Sequence, residues 1–314
     1  MQIQGQLVAD GSLWNDHINV QELIDGGVVS FIIGLYQENV NGKIVLNTNC
    51  RRICDQLAAS NLIMQAYYYV YPEIDPYKQA DWFISTMQQY PLKFAWADME
   101  SMKTPMTGIA RSLSYQKFIE RLHQYFPASG VYTGKWYIDS FAPYMDQWLP
   151  KYISWVPHYG HQPKVKTQMT WEQLKASWLP DYDMIVSKGQ TNVVGHQFTG
   201  DRCILPGTYS AYNVRMPLDV SVFTQSFIDS IKGNQPPVQP PAPPPIPQPV
   251  PTYINYMVTS YAINVRTGPS TSYSVNRIMY QNQTVQVKNP IILNNGYVQI
   301  TDGNWATLSY LKKS

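Results

Sequence analysis

The sequence predicts an α/β protein, an irregular TIM-like (β/α) barrel followed by a small all-β domain. Three observations predict it. Short apolar runs alternate with amphipathic helical stretches through residue 232. Polar and acidic side chains fall at or just past the ends of those runs, where a parallel barrel builds its site. A proline-dominated stretch then separates the barrel from a last segment of short strands and turns.

Strands are predicted at 6–9, 31–35, 64–70, 93–98, 129–133, 152–157, 184–186 and 194–198, each a β-branched or aromatic run of strand length. Helices are predicted at 19–26, 47–60, 76–90, 113–126, 135–144 and 219–231 from 3.6-residue apolar spacing. Eight strands with intervening helices are the complement of a barrel, although weak later helices leave an open sheet as the alternative. The domains expected are 1–232 for the barrel, 233–252 for a proline-rich linker in extended polyproline form, and 253–314 for a small β-barrel or sandwich. In that last segment Asn-Asn-Gly, Asp-Gly-Asn and Thr-Gly-Pro mark the turns.

Composition narrows the function. Lys and Arg number 23 against 21 Asp and Glu, and no basic cluster is long enough to follow a phosphate backbone, so nucleic acid is not an expected partner. Aromatic residues make up 13 % of a chain with only 14 % charged residues, a balance that fits an uncharged, ring-shaped ligand such as a sugar. No segment has eighteen consecutive apolar residues, so membrane insertion is not expected, and the first residues lack the basic start and apolar core of a signal peptide. Cys50, Cys54 and Cys203 give no disulfide framework and fit synthesis in a reducing compartment. His158, His161 and His196 have no cysteine or carboxylate at metal-ligand spacing; neither metal nor cofactor is expected.

The most informative motif is FAWADME at 94–100. On a strand, the period of two puts Asp98 and Glu100 on one face, about 6–7 Å apart along the backbone. Two carboxyls so placed can divide acid and charge-stabilising roles in glycoside hydrolysis. Asp10, Tyr69, Tyr132, Trp155 and Gln197 fall at other strand ends, and Asp219 lies in the segment that closes the domain.

Taken in order, the motifs resemble the family 25 glycoside hydrolases, the lysozyme-like muramidases of bacteria and phages that cut peptidoglycan. The resemblance spans residues 6–231. It rests on Asp10-Gly-Ser-Leu-Trp14 as the D-x-S-x-W opening, AWADME as the D-x-E strand, and GVYTGKWYID at 130–139. It continues through Trp155 to Tyr159 as W-x-x-x-Y, Val194 to Asp201 as the W/H-Q-Y/F-T strand, and PLDVSVF at 217–223. Departures occur at 34–38, GLYQE, and at Tyr68-Tyr69, where many members have other residues. Residues 258–311, especially INVRTGPSTSY, resemble bacterial SH3-like domains, which often bind wall peptide or glycan.

The resemblance implies Glu100 as general acid, its pKa lifted to about 6 by burial and neighbouring charge. It implies that Asp98 stays ionised and orients the substrate's own N-acetyl group in a retaining reaction. Asp10 and Asp219 complete the catalytic set, and Tyr69, Tyr132, Trp155 and Gln197 contact sugar. The alternative for Asp219 is that it caps the last helix. The expected partner is bacterial peptidoglycan, met by a monomer. The layout is that of a phage endolysin, made in the host cytoplasm without a signal peptide and released to the wall by a holin. Two readings compete: a catalytically degenerate barrel that adheres to wall glycan as a virion-structural protein, and a hydrolase of another polysaccharide such as chitin. An amidase or peptidase would need Cys-His or metal-binding residues that the barrel segment lacks.

Overall fold

The computed structural model describes residues 4–40, 43–103, 105–160, 162–177, 184–233, 252–289, 293–294 and 296–314. The chain divides into two compact units, Met1–Pro240 and Pro241–Ser314. The expected polyproline linker lies, apart from its two ends, outside the described residues.

The first unit is a closed eight-stranded barrel. Its strands are β1 (Gly5–Gly11), β2 (Val28–Leu35), β3 (Ile63–Tyr69), β4 (Phe94–Asp98), β5 (Ser129–Tyr132), β6 (Ile153–Pro157), β7 (Val193–Thr199) and β8 (Asp219–Thr224). Neighbours in sequence are neighbours in the ring, and β8 closes it by pairing with both β7 and β1. Strands β1 to β7 run parallel, whereas β8 is antiparallel to both of its partners.

Helices α1 (Val20–Asp25), α2 (Thr48–Ala58), α3 (Pro76–Met87), α4 (Gly108–Tyr125) and α5 (Lys135–Phe141) follow successive strands. Their starts are written in the sequence: the Asn19, Asn47, Asp75 and Thr107 side chains each accept from backbone N–H groups of the first turn. After β6 the regularity fails. A short helix α6 (Trp171–Ser177) stands beside a small second sheet, Thr167–Gln168, Cys203–Tyr209 and Arg215–Pro217, to which His17–Ile18 adds.

Two predicted elements are corrected. Residues 184–186 are not a strand, and the segment expected as a helix at 219–231 is first strand β8 and then helix α7 (Gln225–Lys232). The physical reason lies in DVSVFT, whose alternation of Val220 and Val222 with Ser221 and Phe223 sends one set to the helix side and the other inward. The helix begins only at Thr224, whose side chain caps it by accepting from Phe227 N–H. Asp219 is therefore a strand residue and not a helix cap.

Two cores follow from the same alternation. Between sheet and helices lie residues such as Ala97, Met99, Tyr68 and Phe118. Inside the barrel Val8, Ile32, Trp96, Trp155 and Phe223 form a separate core, joined by Phe227, Ile228 and Ile231 of α7. Aromatic side chains fill that interior, Trp96 lying 5.7 Å from both Trp155 and Phe223. The opposite end, where the parallel strands terminate, is left for polar groups.

The second unit is all-β. Thr252–Val258 pairs with Thr284–Asn289 and with Leu311–Lys313, and a second sheet runs through Val275–Tyr280, Ala262–Arg266, Trp305–Thr307, Tyr297–Gln299 and Leu293–Asn294. Val258, Val265, Val287 and Val298 centre its core. Tyr256 is buried in that core, while Tyr261, Tyr273, Tyr280 and Tyr310 are exposed.

Candidate active site

Strand register places the polar residues in one layer. Asp10 stands opposite Asp219 across the β1–β8 seam. On the other side of the ring, Tyr69, Asp98, Tyr132 and Trp155 are register partners in sequence across β3, β4, β5 and β6. Gln197 on β7 pairs with Ser221 of β8. On β4, Trp96 faces the barrel interior and Ala97 the helices, so Asp98 faces the interior, and Met99 again packs on the helix side. Glu100, two residues past the end of the strand, returns to the face of Asp98.

The layer encloses a cavity of about 220 Å³ lined by Asp10, Asp98, Glu100, Asp219, Tyr69, Tyr132, Trp155 and Gln197. All eight residues singled out from the sequence thus meet in one place. Three further tyrosines line it: Tyr36, Tyr67 and Tyr159. Tyr36 belongs to the segment that departs from the family pattern, and Tyr67 faces inward with Tyr69, while Tyr68 packs outward against Trp82 and Phe118. The run of three tyrosines at 67–69 was legible as a strand, but only the assignment of faces separates the two cavity residues from the core one.

Burial governs the electrostatics. Desolvation holds the Asp10 carboxyl up to about 7, against a lowering hydrogen bond from Gln197, and raises Glu100 likewise to about 7. Asp98 and Asp219 are pushed well above the ordinary range, first by burial and then by neighbouring acids: Glu100 and Asp10 for Asp98, Asp10, Asp201 and Glu100 for Asp219. Every carboxyl in the cavity therefore favours a proton, Asp98 as well as Glu100. Asp98 Oδ1 is buried and has no hydrogen-bond partner among the described residues. An acceptor left open in this way costs stability and is matched to a donor the protein does not supply.

Gln197 is the hub of the opposite wall. Its Oε1 accepts from the hydroxyls of Tyr132 at 2.7 Å and Tyr159 at 2.5 Å, and its Nε2 donates to Asp10 Oδ2 at 3.0 Å. The side chain is buried. Both lone pairs of its carbonyl are thereby occupied within the protein. Trp155 forms part of the cavity lining, its Nε1 donating to Ser221 Oγ at 3.0 Å and its ring 4.4 Å from that of Tyr132.

A second network lies behind the acid pair. Ser101 N–H donates to Tyr115 Oη at 3.1 Å, and Ser101 C=O accepts from Tyr137 Oη at 2.8 Å and from Arg111 Nη1. The two tyrosine hydroxyls are 2.8 Å apart, and the Arg111 guanidinium lies over the Phe141 ring. On the strand side, Met99 N–H donates to Tyr132 C=O at 2.9 Å, and Thr133 Oγ1 donates to Met99 C=O at 2.8 Å. The backbone on either side of Glu100 is fixed by five hydrogen bonds from buried groups. Sequence reading missed Arg111, Tyr115 and Tyr137; the available signal was a basic residue at helical spacing with the apolar stripe Tyr115, Phe118, Ile119 and Leu122.

Among the described residues no three His, Cys, Asp or Glu side chains are arranged to hold a metal ion. His196 is buried, with Nε2 at 2.8 Å from His158 C=O, and desolvation lowers its pKa to about 4; His161 lies outside the described residues. Cys50, Cys54 and Cys203 are buried free thiols.

The sequence profile of the glycosyl hydrolases family 25 matches residues 9–204. No curated protein matches significantly. Among solved structures, the catalytic domain of an endolysin from a bacteriophage of Listeria monocytogenes is similar, with 17 % identity over 74 % of this chain and 98 % of that one and a TM-score of 0.50. A muramidase from Trichobolus zukalii gives 15 % identity over 73 % and 97 % of the two chains and a TM-score of 0.52. A family 25 lysozyme from Aspergillus fumigatus gives 10 % identity over 73 % and 99 % and a TM-score of 0.51. At these identities the likeness is one of fold.

Proposed function

Because the chain belongs to the glycosyl hydrolases of family 25 and is thus a glycoside hydrolase, we propose that it is a muramidase of the endolysin type. It hydrolyses the β-1,4 bond between N-acetylmuramic acid and N-acetylglucosamine in bacterial peptidoglycan. The observation that carries this reading is the convergence of Asp98, Glu100, Asp10 and Asp219 on one cavity walled by tyrosines and Trp155. Asp10 and Asp98 are buried and Glu100 and Asp219 half-buried in one small space; desolvation raises all four carboxyls, and neighbouring acids raise Asp98 and Asp219 further, a cost that fits a site where protons are moved.

In the reaction we assign to it, Glu100 is the general acid. Its raised pKa keeps it protonated near neutrality, and its proton passes to the leaving 4-oxygen as the bond from that oxygen to C1 breaks. The acetamido oxygen of the substrate forms the new bond to C1, which preserves the configuration after a second displacement. Water then attacks C1, Glu100 takes its proton, and the acetamido group is released. Asp98 receives the acetamido N–H at its open Oδ1; the positive charge that develops on that group favours the ionised carboxylate at the moment of reaction. Asp10 and Asp219 polarise the opposite wall, with Gln197 fixing Asp10. Tyr69 and Tyr132 present the polar edge to the sugar and Trp155 contributes an apolar face.

The unit Pro241–Ser314 is read as an SH3-like wall-binding module, supported by its all-β build and by exposed Tyr261, Tyr273, Tyr280 and Tyr310. No helix among the described residues is long and apolar enough to cross a membrane. In this reading the protein acts as a monomer, released from the host cytoplasm through a holin pore and held at the wall by this module. Digesting purified walls and following the anomer first formed by NMR tests the chemistry. Reducing N-acetylmuramic acid in the β configuration supports it, and the α configuration excludes acetamido participation.

A further inference from the structure

Glu100 lies two residues past β4, beyond the last register pair of that strand with β5, so groups outside the sheet have to fix its backbone. One of them is Thr133, whose Oγ1 donates to Met99 C=O at 2.8 Å. Thr133 is buried and itself stands one residue past β5, its N–H donating to Trp155 C=O at 3.3 Å. Its C=O is held from a distant part of the chain: Gln190 Nε2 donates to it at 2.8 Å.

Gln190 follows the apolar run at 184–186 that reads as a strand and forms none. In place of a ladder, this segment makes a turn closed by the same side chain. Gln190 Oε1 accepts from Ser187 N–H at 3.0 Å, and Gln190 N–H donates to Ser187 C=O at 3.2 Å. The turn is seated on Pro143–Gln147, where Asp146 Oδ1 accepts from Gly189 N–H at 2.9 Å. A Cβ at Gly189 would stand 2.5 Å from Asp146 Cα, so the approach needs glycine. The buried Gln190 amide thus uses its acceptor to hold its own turn and a donor to hold the strand end that supports the acid.

We propose that Gln190 is a positioning residue for Glu100, acting through Thr133 on the backbone at Met99. The inference rests on the assignment of Glu100 as proton donor in the proposed reaction and adds an outer tie on which its placement depends. Without the Gln190 amide, the Thr133 carbonyl loses a buried donor and the strand end is free to shift. A misplacement of about 1 Å at a reacting group can cost about a hundredfold in rate, so loosening a support two links away should cost about five- to tenfold. Neither Gln190 nor Thr133 lines the acid cavity, so substrate binding is left as it is and the loss falls on kcat.

The test uses the full chain on soluble peptidoglycan strands, with release of reducing ends of any kind as the readout. Gln190→Leu is expected to lower kcat about five- to tenfold with KM within about twofold. Gln190→Asn, whose amide is one methylene short of Thr133, is expected to do the same and takes its place if the leucine variant does not fold; thermal unfolding identifies the folded variants. Thr133→Val breaks the next link, so adding Gln190→Leu to it should lower kcat by no more than about twofold further. A folded Gln190 variant with kcat within about twofold of the parent overturns the proposal. So does a loss confined to KM, or a double variant in which the two separate losses multiply. Failure of the muramidase reading shows elsewhere, as N-acetylglucosamine at the parent's new reducing ends or as undiminished activity in Glu100→Gln.

Discussion

Asp10 and Asp219 are direct register partners across the antiparallel seam between the first and last barrel strands. Barrel closure brings one acid from each end of the catalytic unit onto the same cavity wall, and burial keeps both above the ordinary carboxyl range. Site and closure are therefore coupled: an acid pair on this seam is held by the same hydrogen bonds that shut the barrel.

That coupling has a sign in stability. A carboxyl whose folded pKa is raised favours the folded state at low pH, and the benefit is lost as pH rises from the unfolded value near 4 through the folded one. Asp219→Asn removes the penalty at high pH and changes little where both states are protonated. The Tm of Asp219→Asn should exceed the parent's at pH 8 by about 2–4 °C and equal it near pH 3.5. Activity on walls should fall at least about a hundredfold. Thermal melts at the two pH values check the first, and a turbidity assay the second.

Glu100, protonated up to about 7, sets the alkaline limit. The rate on soluble glycan strands should decline as pH rises through about 7, where the acid loses its proton. Glu100→Gln should show no such limb, its residual rate being at least about a hundredfold lower. A pH–kcat/KM profile of parent and variant decides this.

Gln197 acts on Asp10 and two tyrosines at once. Gln197→Glu keeps the acceptor for the Tyr132 and Tyr159 hydroxyls but replaces the donor to Asp10 with a carboxylate oxygen. The added negative charge should move the alkaline limb to higher pH while lowering kcat. Gln197→Leu should lower kcat without moving the limb and should destabilise the fold by about 1–3 kcal/mol, through the buried Tyr132 hydroxyl left without its acceptor. The pH profile separates a positioning role from a merely structural one.

The clamp on Ser101 predicts a split in kinetic parameters. Arg111→Met removes a buried donor to Ser101 C=O and loosens the backbone next to Glu100. We expect kcat to fall about tenfold or more with KM within about twofold, because substrate contacts are untouched while the acid is misplaced. Arg111→Lys should recover part of the loss. Steady-state kinetics on soluble strands measures both.

Much of this was readable from residues alone, for physical reasons that can be named. FAWADME fixes its own faces: Trp96 and Asp98 share one side and Ala97 and Met99 the other, so the acid could be placed before the fold was known. Asp219 could be paired with Asp10 only by assuming closure, and DVSVFT merged with the following amphipathic QSFIDSIK into one apparent helix. Met184–Val186, apolar but unpaired, looked like a strand because a three-residue run carries no period. Tyr36 and the Ser101 clamp depend on contacts between distant elements, which no local pattern encodes.

The central claim is that the acid cavity cuts the muramyl bond with Glu100 as its proton donor. The most direct measurement digests purified Gram-positive peptidoglycan with the parent and with folded Glu100→Gln and identifies new reducing ends by mass spectrometry. The account predicts N-acetylmuramic acid ends from the parent and a loss of at least about a hundredfold from the variant. N-acetylglucosamine ends from the parent, or equal cleavage by both proteins, would contradict it.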